Sequence, residues 1–99
     1  MKILIEAVNF NIDKGLKAYI EKKVNSLERF YDRIIEVEVY LKVQKTSDKE
    51  NKISEIRVFI PGEDVVVKKM TKTFEEGVSV AVESLKRSLK KVKEKQRSH

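Results

Sequence analysis

Few residues in this chain could perform covalent chemistry, and they are poorly placed for it. The only histidine is His99, the final residue, and there is no cysteine. A histidine-assisted nucleophile, a multi-histidine metal centre, a thiolate site and a disulfide therefore lack the groups they require. Glu36 and Glu38 share one side of a strand pattern, as an acid/base pair could, but they alternate with apolar residues as the wet side of a half-buried strand does. Pro61-Gly62 has no phosphate-loop pattern around it and reads as a turn. The expectation is a binding protein, not an enzyme, with no cofactor and no small-molecule substrate.

What the chain does concentrate is positive charge. Its net charge is +6 from 22 Lys and Arg against 16 Asp and Glu, and the excess can be located. Lys86, Arg87, Lys90, Lys91, Lys93, Lys95 and Arg97 fall within a stretch holding one acid, Glu94, so the remaining 15 bases and 15 acids cancel. A neutral body with one basic terminal segment suits a polyanion, either nucleic acid or an acidic membrane surface. At helical spacing Lys86, Lys90, Lys93 and Arg97 form one row within an arc of about 60°, and Arg87, Lys91 and Lys95 form a second on the far side. Like charges one turn apart cost a few tenths of a kcal/mol per pair, and the helix macrodipole accounts only for cations in the last turn. A solvated helix end is the competing explanation, and the pattern favours a polyanion site.

The elements that must carry these residues can be read from periodicity. With 99 residues, 40% hydrophobic, the chain has room for one core. Residues 1–8 alternate as a strand, with Ile3, Ile5 and Ala7 on one side. Asn9, Asn11 and Asp13 offer helix caps, and Leu16, Ile20, Val24 and Leu27 set a helix over about 13–29. Ile35, Val37, Val39, Leu41 and Val43 give a second strand, Ile56, Val58 and Ile60 a third, and Val65 to Met70 a fourth after the Pro61-Gly62 turn. Thr73 and Glu76 match a capping box for a helix reaching about residue 95, with Phe74, Val78, Ala81, Val82, Leu85, Leu89 and Val92 as its apolar stripe. This helix is long enough for its last turns to overhang the sheet.

The predicted class is α+β, a single β-α-β-β-β-α domain over residues 1–95 with a flexible basic end at 96–99. Its four-stranded mixed sheet carries two helices on one face, as in double-stranded RNA-binding domains. Lys23 projects into the arc of Leu16, Ile20 and Leu27, so its stem runs along the core edge; its ammonium, with that of the adjacent Lys22, could open onto a groove shared with the basic row. Tyr19, Phe30 and Tyr31 could stack bases, though their positions favour core packing.

Leu27-Glu28-Arg29-Phe30-Tyr31-Asp32-Arg33-Ile34, together with the run from Glu83 to Lys95, resembles the ribosome hibernation promoting factor family, which includes the ribosome-associated translation inhibitor. The resemblance spans essentially the whole chain. Its signature is an aromatic-Asp-Arg-Ile junction entering the second strand and a Leu-x-Arg-x-Leu-x-Lys-x-Lys-x-Lys helix end, matched at Leu85, Arg87, Leu89, Lys91, Lys93 and Lys95. The resemblance implies a cytoplasmic protein that binds ribosomal RNA of the small ribosomal subunit in the channel between head and body. There it overlaps the path of messenger RNA and the tRNA sites, and inhibits translation when growth stops. By this resemblance Lys23, Arg87, Lys91, Lys93 and Lys95 are RNA-binding residues; Lys22, Lys86 and Lys90 join them on the charge argument alone.

Two departures from the family pattern matter. Many relatives open the second helix with Tyr-Ala-Ala-Ile-Asp, where this chain has Glu75-Glu76-Gly77-Val78-Ser79, so that contact is not carried over. Long members add a dimerisation domain, and the expectation here is a monomer off the ribosome that needs another protein for any ribosome pairing. The chain lacks the pattern of a signal peptide, and no membrane partner is expected. A general double-stranded RNA-binding module and a basic protein-interaction domain remain the alternatives.

Overall fold

The computed structural model describes residues 1–97. Six elements follow in the order β1 (Lys2–Val8), α1 (Lys14–Phe30), β2 (Glu36–Val43), β3 (Lys52–Ile60), β4 (Glu63–Thr71) and α2 (Phe74–Arg97). The strands lie in the order β1-β2-β3-β4; β1 pairs parallel to β2, and the other two pairings are antiparallel. The parallel step follows from the helical crossover between β1 and β2, whereas β2, β3 and β4 are joined by connections short enough for a meander.

Local chemistry fixes the element ends. The Asp13 carboxylate caps α1 by accepting the Leu16 N–H at 2.7 Å. Tyr31 closes the same helix, its N–H donating to the Leu27 carbonyl at 2.8 Å. Gly62 takes a φ of 87° between β3 and β4, a left-handed conformation that glycine adopts without a steric penalty. At the start of α2 the hydroxyl half of the expected capping box is present: Thr73 Oγ1 accepts from the Glu76 N–H at 3.1 Å. Glu75 and Glu76 place negative charge at the positive end of that helix.

Both helices cover one face of the sheet, with α1 packed against α2 and β1, and α2 lying over β3 and β4. The core joins Ile20, Val24 and Leu27 of α1 to Val37, Val39 and Leu41 of β2, Ile56, Val58 and Ile60 of β3, and Val78, Ala81, Val82, Leu85 and Leu89 of α2. These are the positions that period-2 and period-3.6 patterning select. The ends of the second alternation depart from it: Ile35 precedes β2 at 60% exposure and Val43 ends it at 41%. At the first of these ends the neighbouring Ile34 is the residue that joins the core instead.

Helix α2 passes close to the sheet at Gly77. A Cβ on this residue would stand 2.6 Å from Ser54 Oγ and 2.9 Å from Thr71 Oγ1, so only glycine fits the crossing. Ser54 is fully buried on β3, and among the described residues its hydroxyl has no hydrogen-bond partner.

Helix α2 extends two residues past the expected end, to Arg97. Beyond Leu89, Val92 is the one apolar residue among the described residues that still packs against the core, and Lys95 and Gln96 line a cleft with Glu63 at the start of β4. Gln96, expected in a flexible end, is helical, and its Nε2 lies 3.2 Å from the Tyr31 hydroxyl. Ser98 and His99, also assigned to that end, lie outside the described residues.

Candidate nucleic-acid interface

The two helices sit side by side, and their facing flanks form a cationic groove with two clefts. The first, about 290 Å³, is lined by Lys22, Lys23, Ser26 and Arg29 of α1 and by Glu83 and Lys86 of α2. The second, about 360 Å³, lies between Arg29 and Phe30 on one side and Lys90, Lys93 and Glu94 on the other. The cations are placed there by the apolar stripes: burying Leu85 and Leu89 leaves Lys86, Lys90 and Lys93 on the flank of α2 that faces α1.

The second basic row lies on the other flank, as the helical projection requires. Lys91 and Lys95 line a cleft of about 350 Å³ with Val92, Gln96 and Glu63 at the start of β4. Arg87 stands exposed on the outer surface of α2, and its guanidinium donates to Ser84 Oγ at 3.0 Å. The eight predicted RNA-binding residues therefore divide: Lys22, Lys23, Lys86, Lys90 and Lys93 share the interhelical groove, whereas Arg87, Lys91 and Lys95 do not.

Most of the groove cations are uncommitted. Among the described residues Lys22, Arg29, Lys90 and Lys93 form no ion pair or hydrogen bond. Lys86 meets Glu83 at 3.5 Å, one turn away on a partly exposed surface. Such a pair contributes only a few tenths of a kcal/mol and yields readily to a phosphate. Lys23 is half-buried, and its ammonium rests 5.7 Å from the centre of the Tyr19 ring. Tyr19 and Phe30 pack against the core and Tyr31 is 3% exposed, so the three aromatics serve packing more than base stacking.

Sequence reasoning left Arg29 out of the site. The signal was available, since Arg29 follows Lys22 and Ser26 by seven and three residues and so shares their flank of α1. A single cation in a last helical turn is easily assigned to the macrodipole instead.

The open face of the sheet has the opposite character. A cleft of about 370 Å³ on this side is lined by Leu4, Glu6, Glu38, Tyr40, Glu55 and Arg57. Arg57 is drawn toward Asp64 at 3.7 Å, which leaves this cleft with the carboxylates of Glu6, Glu38 and Glu55, in contrast to the cationic interhelical groove. Among the described residues no three acids or histidines converge as a metal-binding set, and no helix is long and apolar enough to cross a membrane.

Comparison with known proteins agrees with this architecture. Residues 3–97 match the family described as Sigma 54 modulation protein / S30EA ribosomal protein. A ribosome hibernation promoting factor from Pseudomonas putida is 31% identical over 99% of this chain and 92% of its own length. That of Azotobacter vinelandii is 30% identical over 97% of this chain and 86% of its own. Among solved structures, a ribosomal subunit interface protein from Coxiella burnetii superposes with a TM-score of 0.82 at 22% identity, covering 94% of this chain and 98% of that one. The Protein Y N-terminal domain from Thermus thermophilus superposes with a TM-score of 0.77 at 26% identity, covering 93% and 99%. With its sequence matched almost end to end and its β-α-β-β-β-α sheet shared with these structures, the chain belongs to the Sigma 54 modulation / S30EA ribosomal protein family, that of the ribosome hibernation promoting factors.

Proposed function

We propose that this protein binds ribosomal RNA of the small ribosomal subunit through its two-helix face and silences translation by occupying the path of messenger RNA and tRNA. The observation that carries the reading is the interhelical groove, where cations from α1 and α2 converge with few internal partners and outnumber the one carboxylate in each cleft. The names of the relatives point in the same direction.

The groove cations neutralise RNA phosphates and release their counterions, so binding weakens steeply with salt; four to six phosphate contacts give a log-log slope of about −3 to −5. Side chains do not reach into an A-form major groove, so the fit of a rigid domain to an RNA surface supplies the selectivity. The protein acts as an occluder, a monomer in the cytoplasm when off the ribosome, and needs no cofactor.

Replacing Lys86, Arg87, Lys90, Lys91 and Lys93 with glutamate tests the reading. The variant is expected to lose cosedimentation with small subunits and inhibition of cell-free translation while keeping its circular dichroism spectrum. Undiminished inhibition would remove the basic helix from the mechanism, and equal affinity for a random RNA duplex and for small subunits would replace ribosome selectivity with general RNA binding.

A further inference from the structure

The two clefts of the interhelical groove share one side chain. Arg29 lines both, with Lys22, Lys23 and Lys86 on one side of it and Lys90 and Lys93 on the other. We propose that Arg29 is an RNA-binding residue that bridges two successive phosphates of a single RNA strand, one held in each cleft, so that the strand runs along the groove. This inference rests on the RNA-binding reading above and goes beyond it by assigning a residue, a ligand geometry and a direction.

Three observations support the bridge. Arg29 is exposed and, among the described residues, its guanidinium has no ion pair or hydrogen bond, so its donors are available. A guanidinium is a planar fork with five N–H donors and can serve two anions at once, whereas an ammonium acts as a point charge. Finally, the base of the side chain is held in place: Leu27 is buried two residues before it, Tyr31 is buried two residues after it, and the Tyr31 N–H closes the helix on Leu27.

The α2 cations are in step with such a bridge. Lys86 lines the first cleft and Lys90 the second, one turn apart and separated by about 6 Å of helical rise, a step that neighbouring phosphates can span. Each cleft also contains one carboxylate, Glu83 or Glu94, but cations outnumber it in both. The competing explanation, that Arg29 merely complements the negative end of α1, requires only a positive charge and is indifferent to the fork.

That difference sets the experiment. Binding of the full chain to purified small subunits is measured against salt for wild type, Arg29→Lys, Arg29→Gln and, on the sheet, the exposed Lys42→Gln. A bridging guanidinium carries one positive charge, so Arg29→Gln reduces the steepness of the log-log slope by about 0.7 to 0.9. Arg29→Lys, which keeps the charge and loses the fork, is expected to leave the slope near wild type and to weaken binding at fixed salt by about fivefold. A loss for Arg29→Gln no larger than that for Lys42→Gln, or wild-type affinity for Arg29→Lys, overturns the bridge. Should wild type fail to bind subunits, the ribosome reading falls separately, and titration with a single-stranded hexauridylate decides the Arg29 inference alone. A shift of the Arg29 side-chain N–H resonance then supports it, and an unmoved resonance overturns it.

Discussion

Replacing Gly77 with alanine should destabilise the protein, although propensity alone predicts the reverse. Alanine in place of glycine gains up to about 1 kcal/mol in a helix. Here the added methyl would lie 2.6 Å from Ser54 Oγ and 2.9 Å from Thr71 Oγ1, and Ser54 Cβ stands behind them at 3.1 Å. Among the described residues the Ser54 hydroxyl has no partner and can rotate, but Thr71 Oγ1 donates to the Thr73 carbonyl at 2.7 Å and is less free to move. Overpacking of this kind costs about 1–3 kcal/mol, so a net loss of about 1 kcal/mol is expected, or about 4–8 °C in Tm for a domain of this size. Ser54→Ala removes an unsatisfied buried hydroxyl and should be neutral or stabilising by about 1 kcal/mol. The pair should couple: in the double variant the Gly77→Ala change is tolerated better by at least about 0.5 kcal/mol, with only partial rescue because the Cβ at position 54 remains. Urea unfolding of the four proteins measures the cycle. A Gly77→Ala variant more stable than wild type, with strictly additive effects, would refute the claim that glycine is required for the crossing.

Two further outcomes follow from element ends. Asp13→Ala removes the α1 cap and should lower stability by about 1 kcal/mol in urea unfolding, with no change in small-subunit binding measured at low temperature. Tyr31→Phe deletes the hydroxyl that meets Gln96 and should speed hydrogen exchange in the last turn of α2, at a global cost of about 0.5–1.5 kcal/mol.

The buried framework was legible because it is periodic. Val37, Val39 and Leu41 alternate, and Val78, Val82, Leu85 and Leu89 recur at helical spacing, so their burial and the placement of the cations between them follow from geometry. The division of those cations between two flanks could also be projected. What was not legible depends on pairs of elements. Gly77 was visible as a departure from the family pattern, but its reason is Ser54 on a strand distant in sequence. Arg29 joins the site only because α2 packs against the end of α1. The position of Gln96 in an ordered helix likewise depends on Tyr31, 65 residues earlier.

The placement of positive charge on both sides of α2 constrains the shape of whatever binds it. A planar anionic surface laid against the Lys90 and Lys93 flank would leave Lys91 and Lys95 turned aside, still hydrated and contributing little. Satisfying both flanks takes a host that folds around the helix as a slot does around a key. Such a host would gain from both edges of the last turns of α2, and an open duplex from only one of them.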